Sequence, residues 1–377
     1  MIHNSHIVII GGGLAGLTSA IHLAKMQIPV TLIEKEIYPK HKVCGEYISN
    51  EVVPYLDFLG IKLKDLDIVT ISQLQISTKN GKLIKSKLPL GGFGVSRYRL
   101  DHHLWITAKK LGVQLINDQV INVDFQKDNT FLVHTSNNGI FYTDYVIGAY
   151  GKRSTLDKNL HRDFSQRKSP WLAVKAHYVS KFDSDTVALH NFEGGYCGLS
   201  VVENKAVNAC YLVNYESFKK YKDIVSFEKN ILYENPYLKD FFENSEMLFR
   251  KHITISQINF DPKKPVEKGV FMIGDAAGLI HPLCGNGMAM AIQSAKVLCD
   301  LFVANHASIQ YSRQEMELMY AKEWNKAFSK RLYAGRVLQK VLLHNGFQQI
   351  AQKVAKTIPA IVPEIIKQTH GKPLVCS

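Results

Sequence analysis

Paired cysteines are missing from this chain. Its six cysteines (Cys44, Cys197, Cys210, Cys284, Cys299 and Cys376) are scattered, with no Cys-x-x-Cys among them. That spacing argues against a disulfide framework and against a zinc site. No metal is therefore expected, and a reducing, cytoplasmic compartment is. An apolar run long enough to cross a bilayer is also missing, so no transmembrane segment is expected. The apolar start is broken by three glycines and has no basic leader, so it does not read as a signal peptide. There is no internal repeat and no low-complexity linker.

Acidic residues are in short supply: 33 Asp and Glu stand against 46 Lys and Arg, a net charge of +13. From Lys330 onward eight basic residues (Lys330, Arg331, Arg336, Lys340, Lys353, Lys356, Lys367 and Lys372) face one acid, Glu364. No aromatic-basic pattern accompanies them, so no nucleic acid is expected. A solvated basic face is the plainest reading. Peripheral contact with an anionic membrane surface or an acidic carrier is the partner reading. The remaining composition, 46% hydrophobic and 21% charged, suits a globular chain with a large core and more than one domain.

What is present is concentrated at the start. HIVIIGGGLAGLTSAIHLAKMQIPVTLIEKE reads as a buried strand from His6 to Ile10, a helix from Leu14 to Met26, and a second strand from Pro29 to Ile33. Gly11 permits the tight turn, Gly13 lets a pyrophosphate approach the backbone, and Gly16 lets helix and strand pack closely. The helix N-terminus offers free N–H groups and its positive dipole end to phosphates. Glu34, about 20 residues on, is placed to accept hydrogen bonds from a ribose. An acid there favours an unphosphorylated ribose, hence FAD or NAD rather than NADP.

Further along, Asn50 to Leu59 reads as helical. Residues 67 to 90 alternate as a hairpin turning at Lys79-Asn80-Gly81. An amphipathic helix starts after Ser96 and closes at Gly112. Four short strands follow, one hairpin turning at Asn137-Asn138-Gly139. Trp171 to about Val213 alternates as an antiparallel sheet with one buried face. Residues 218 to 242 read as mostly helical, and HITISQINF as a strand. GVFMIGDAAGLIHPLCGNGMAMAIQSAKVLCDLFV repeats the opening pattern of strand, turn and long helix, the helix beginning near Gly287. Residues 313 to 368 read as helical, broken around Gly346, Pro359 and Pro363.

Two more segments belong with the opening one. In Arg97-x-x-Leu100-Asp101-x-x-Leu104 the leucines make a core stripe, and Arg97 at the helix mouth suits a phosphate through its fork of donors. In Gly274-Asp275-Ala276-Ala277-Gly278 the small residues let a ligand lie on the backbone, and Asp275 can accept from a sugar-alcohol hydroxyl. The stretch Gly285 to Met288 opens the next helix, whose N–H groups favour an electron-rich ring edge.

Together, GGGLAG with Glu34, RYRLD and GDAAGLIHPLCGNG resemble the FAD-binding signature of the para-hydroxybenzoate hydroxylase-like flavoproteins. That family includes class A aromatic monooxygenases, geranylgeranyl reductases and flavin-dependent halogenases. The resemblance covers roughly residues 6 to 300. It implies FAD contacts from Gly11, Gly13, Leu14, Ala15, Gly16, Glu34, Lys35, Cys44, Arg97, Gly274, Asp275, Gly285, Asn286, Gly287 and Met288. It also implies that the sheet near 171–213 roofs the substrate pocket. KVCGEYIS, Lys42 to Ser49, is similar to the Cys-Gly loop of the geranylgeranyl reductase branch, except that Glu46 stands where a second glycine usually follows. Monooxygenases usually carry Asp-Gly near residue 150, an aspartate associated with FAD and NADPH handling; here the residue is Tyr150. Near Trp171 there is no Trp-x-Trp-x-Ile-Pro, which argues against a tryptophan-type halogenase.

The resemblance implies an α/β fold: a discontinuous Rossmann-like FAD-binding domain (1–70, 96–168, 258–305), an inserted antiparallel substrate sheet (71–95, 169–257) and a C-terminal helical region (306–377). The expected activity is that of an FAD-dependent monooxygenase, oxidising an apolar or phenolic small molecule with reduced FAD and O2. NAD(P)H or another donor supplies the electrons. Reduction of isoprenoid double bonds is the alternative, and a non-catalytic flavin-binding scaffold is the alternative of another class. The candidates for chemistry are Cys44, Glu46 and His281. Each has a plainer reading, as a small buried thiol, a partner of Lys42, and a structural histidine. Tyr196 and Cys197 are adjacent on a strand, so only one of them can face the pocket.

Overall fold

The computed structural model describes residues 2–307, 311–343 and 361–375. The expected helix breaks at Gly346 and Pro359, the charges of Lys353 and Lys356, and Cys376 lie outside the described residues. The five cysteines within them are unpaired.

Strand β1 (Ile2–Ile10) leads into α1 (Leu14–Lys25) and β2 (Val30–Glu34), as the spacing predicts. Next come β3 (Tyr47–Ser49), a short helix α2 (Val53–Phe58), the hairpin β4 (Val69–Ser77) and β5 (Leu83–Gly94), and α3 (Arg97–Lys110). Ser96 caps α3 by accepting from the Arg99 N–H at 3.1 Å. Strands β6 (Gln114–Asn117), β7 (Val120–Phe125), β8 (Phe131–Thr135) and β9 (Ile140–Gly148) follow. The second half supplies β10 (Trp171–Val179), β11 (Thr186–Phe192), β12 (Gly195–Val201) and β13 (Val207–Asn214). The short strands β14 (Glu246–Met247), β15 (Ile253–Ser256), β16 (Val266–Glu267) and β17 (Val270–Met272) complete two sheets.

The first sheet runs β16-β17-β9-β1-β2-β6, parallel from β17 to β6. The strands β2 and β17 and the end of β1 are near-continuous buried apolar runs, as strands covered on both faces are. The N-terminus of α1 lies just past the carboxyl end of β1. Past β17, the chain runs into one long helix, Gly287–Ala307, which lies against α1. By length and composition this helix is long and apolar enough to cross a membrane, which the sequence reading did not expect. Its residues Ile292, Ala295, Leu298 and Cys299 are buried in the core beside α1, which accounts for the apolar character.

The second sheet runs β14-β10-β13-β12-β11-β4-β5-β3, with β15 on β10. It is mixed rather than antiparallel: β11 pairs β4 in parallel, Val187 opposite Leu74. The alternation of β4 and β11 predicts a half-buried face but carries no strand direction. One sheet face, with Val174, Ala176, Cys197 and Tyr211, packs on the helical segment carrying Phe227, Leu232 and Leu238. The other, with Ala173, Tyr196 and Leu212, looks toward Leu279 and Leu283 of the first domain's turn.

The tail contributes a helix over Arg313–Leu343 and another over Ile361–Thr369. Met316, Tyr320, Trp324 and Phe328, spaced by four, form the buried stripe of the first. Pro363 does not break the second, because it sits in the first turn, where its missing N–H has no intrahelical partner to lose.

Candidate cofactor and substrate site

Backbone geometry at three glycines shapes a cradle at the end of β1. Gly11 has φ +104°, and a Cβ there would lie 2.6 Å from the Ala149 carbonyl oxygen. A Cβ on Gly16 would come within 2.0 Å of the Gly11 oxygen, so α1 packs directly on the turn. Gly16 therefore sits behind the cavity wall, not in it. Gly13 differs: the nearest atom to a Cβ there is Arg97 Nη2, at 3.7 Å. Its backbone faces open space beside a guanidinium, an anion site in shape and charge.

Asp101, wholly buried, holds that guanidinium by accepting from Arg97 Nε at 2.7 Å and Nη2 at 2.8 Å, and pairs with Lys42 at 2.9 Å. Burial alone would lower the Arg97 pKa, but Asp101 holds it above its ordinary value. Arg97 Nη1 donates to no described residue, which leaves it for a phosphate. The i,i+4 spacing of Arg97 and Asp101 is the sequence signal for this anchor. Glu34 accepts from the Gly12 N–H at 2.5 Å and the Glu36 N–H at 2.9 Å, which fixes its carboxylate at the mouth of the cradle. Leu14, Ala15 and Lys35 line the same cavity.

The second approach is built on Gly274, with φ +60°, where a Cβ would sit 3.0 Å from that of Ala15. Asp275 lines the cavity, and its backbone oxygen accepts from Lys263 Nζ at 2.7 Å. Gly285, Gly287 and Met288 line it too, at the N-terminus of the helix Gly287–Ala307. Asn286 does not. Its side chain is buried and donates to the Thr369 oxygen at 2.8 Å, tying the C-terminal helix to this loop. The residues present fit FAD: an open backbone beside a cation for the diphosphate, carboxylates for the sugar hydroxyls, and two helix N-termini.

His281 is also displaced from its expected role. It is buried, accepts from the Leu283 N–H at 3.4 Å as the cap of a short turn, and lies among Trp171, Tyr196 and Phe260. Burial lowers its pKa to about 3, so it stays neutral inside this wall. It does not line the cavity, because the residue before Pro282 is turned back to cap.

Glu46 is corrected as well. Neither a free acid nor a partner of Lys42, it is wholly buried, pairs with the buried Lys175 ammonium and meets His177 Nε2 at 2.7 Å. It also accepts from the Arg97 N–H at 2.7 Å. Burial alone would raise its pKa, but Lys175 and His177 bring it down to about 2. Its φ is +54°, the conformation a glycine would take without strain. Around it the sheet grips the loop: Lys175 Nζ donates to the Lys42 oxygen at 3.1 Å, Asn208 to the Cys44 oxygen at 3.3 Å, and Ser200 to the Gly45 oxygen at 2.9 Å. Cys44 is thereby presented to the cavity, half-buried. His41, Glu46 and His177 bring possible metal ligands within 4.8 Å of one another. The Lys175 ammonium already fills the cation position on that carboxylate, so no metal is assigned.

The cradle continues into a chamber, together about 1400 Å³. Its far walls are aliphatic: Leu74 and Ile76 from β4, Val187 and Leu189 from β11, and Leu338 and Ile366 from the tail helices. Of the pair Tyr196 and Cys197, Tyr196 faces the chamber and Cys197 the opposite core. Tyr150, in place of the expected aspartate, lines the cavity with its hydroxyl 3.3 Å from Met272 Sδ.

Replacing Arg97 by glutamine is expected to weaken FAD binding by about tenfold to hundredfold, the loss of a charge-assisted hydrogen bond of roughly 1.5–3 kcal/mol. Titration of apoprotein with FAD, followed by flavin fluorescence, measures it; an unchanged Kd would remove Arg97 from the diphosphate site.

The family described as FAD binding domain matches residues 4–307. Among curated proteins, a tryptophan 2-halogenase from Chondromyces crocatus is 22% identical, over 92% of this chain and 68% of its own. A digeranylgeranylglycerophospholipid reductase 2 from Methanothermobacter thermautotrophicus is 23% identical, over 91% of this chain and 89% of its own. Among solved structures, the flavin-dependent brominase Bmp2 has a TM-score of 0.78 at 16% identity, covering 97% of this chain and 93% of its own. A geranylgeranyl bacteriochlorophyll reductase-like protein from Thermoplasma acidophilum has 0.74 at 19%, covering 98% and 100%. Likeness to halogenases thus extends over most of the chain, although the Trp-x-Trp-x-Ile-Pro stretch is absent from it.

Proposed function

The chain belongs to the FAD binding domain family and is an FAD-dependent oxidoreductase, and we propose that it reduces carbon–carbon double bonds of an apolar, isoprenoid-like substrate. The aliphatic chamber carries this reading. Its walls recruit Leu, Ile and Val from the second sheet and from both tail helices, which suits a long hydrocarbon better than a phenolate. Hydroxylation of a phenol calls for a base beside the ring. Beside the Cys44 loop, Glu46 is held by Lys175 and His177, and burial lowers His41 to a pKa of about 4, which makes it a weak base. The Cys44-Gly45 loop and the relatives named as geranylgeranyl reductases support the same reading.

Reduced FAD supplies the hydride. The chain orients the alkene against the Cys44 and Gly285 loops and keeps water from the reacting carbons. NAD(P)H or another small donor supplies the electrons. Lys152 and Arg153, at the cavity wall, suit its anionic groups. The exposed Lys330, Lys367 and Lys372 share the tail helices and the segment after them with the liners Leu338 and Ile366, so docking on an anionic membrane surface would bring the chamber to a lipophilic substrate.

Incubation with a reductant and a polyprenyl compound is expected to give a product heavier by the mass of two hydrogens per reduced bond. A product carrying an added oxygen atom instead would establish the monooxygenase reading.

A further inference from the structure

Saturating a double bond consumes a proton as well as a hydride, and, on the reading above, some group of the chain must hold that proton. We infer that Tyr196 is the proton donor, its hydroxyl facing the alkene from the sheet across from the loops that carry the flavin.

Three observations support this. First, Tyr196 is on the central strand β12, paired with Leu212 on one side and Asn191 on the other, so its direction is fixed by two ladders. Gly198, next along the same face, has no side chain to screen it. Second, its ring is clamped by residues of both domains. It belongs to the cluster of Ala173, Leu212, Ile258, Leu279 and Leu283, with the His281 ring centroid 6.0 Å away. Cys44 and Cys284, on the loops facing it, line the same cavity as Tyr196. Third, its hydroxyl has no partner among the described residues, although the residue is only 4% exposed. The other buried tyrosines all have one: Tyr55 meets His22, Tyr211 donates to Glu228, Tyr320 to the Met272 oxygen, Tyr47 to the Gly91 oxygen, and Tyr178 meets His252. Its oxygen is not sealed in the core, and Tyr196 lines the cavity, which is where a partner can come from.

Burial holds the Tyr196 phenol well above its ordinary pKa, so it gives up its proton only to a strongly basic carbon, as the hydride arrives on the other. In the step, the π bond breaks, one carbon gains a C–H bond from the hydride of reduced FAD, and the other gains one from Tyr196 Oη. The two electrons come from FAD, and the phenolate recovers its proton from water reaching the cavity.

The test uses the FAD-loaded protein, reduced under argon and mixed with a polyprenol, with flavin absorbance as readout. Tyr196→Phe is expected to slow reoxidation by the alkene about 100-fold, the scale of a general acid. Binding of the saturated polyprenol to apoprotein, followed by tryptophan fluorescence, is expected to stay unchanged. In D2O the wild-type product carries two solvent deuteriums per reduced bond, one from the proton donor and one through the exchangeable N5–H of reduced FAD, and its rate falls. Equal rates for Tyr196→Phe and wild type would overturn the assignment while leaving the reductase reading intact. So would a loss confined to Cys44→Ser, which would move the proton to the thiol. A wild-type protein that binds the polyprenol but is never reoxidised by it would end both.

Discussion

Lys175→Met is expected to destabilise the protein by about 3–5 kcal/mol, the cost of leaving a buried charge without its partner. Lys175 and Glu46 are both wholly buried, and the carboxylate stays charged in the fold. Without the ammonium, Glu46 keeps only His177 and the Arg97 N–H. The same substitution frees the Lys42 oxygen, so the Cys44 loop loses its grip on the sheet along with its charge partner. The double variant Lys175→Met with Glu46→Gly is expected to recover most of the loss. It removes both charges and gives the left-handed position at +54° to a residue that adopts it freely. Urea unfolding of the two single variants and the double measures the coupling; additive losses would show that the pair is not a unit.

Acid should act through the same carboxylate. The Glu46 pKa falls from its ordinary 4.5 to about 2 in the fold. The unfolded chain therefore binds the proton first as pH drops. The contribution, roughly 3 kcal/mol, is fully present above pH 4.5 and is lost as pH falls through 2. In Glu46→Gln that part of the acid slope should be absent.

Gly16→Ala is expected to purify with a reduced share of bound FAD. A Cβ 2.0 Å from the Gly11 oxygen cannot be accommodated, so α1 must lift from the turn. The cradle at Gly13 and the aim of the helix N-terminus move with it. Overpacking of about 1–3 kcal/mol falls on the cofactor site, a tenfold to hundredfold weaker FAD complex. Gly198→Ala is the control, because its Cβ meets nothing closer than 3.6 Å. The ratio of flavin to protein absorbance after purification reads out both. Full flavin content in Gly16→Ala would refute the packing argument at this turn.

Features set by neighbours in sequence were legible. Gly11 makes the tight turn and Gly16 the close packing that their spacing predicts, and the turns at Gly81 and Gly139 have the positive φ of tight hairpins. Strand alternation admits only one of Tyr196 and Cys197 to the cavity, and the two cores of the sheet settle that it is Tyr196. What sequence could not show is pairing across long separations. Glu46 lies 129 residues before Lys175 and 131 before His177, and no local pattern links them. The parallel β4–β11 pairing is set by the long crossover between them rather than by either strand's alternation. His281 and Asn286 sit in a flavin-like motif, yet their side chains are claimed by a turn and by the tail, contacts that only packing decides.

The reductase reading itself meets its most direct test in one experiment. The FAD-loaded protein is reduced under argon and mixed in a stopped-flow cell with a polyprenyl alkene, then separately with O2 and a phenol. The account expects the oxidised flavin spectrum to return with the alkene alone, with a product gaining two hydrogens. No reoxidation by alkene, with an oxygenated phenol formed only in the O2 arm, would contradict it.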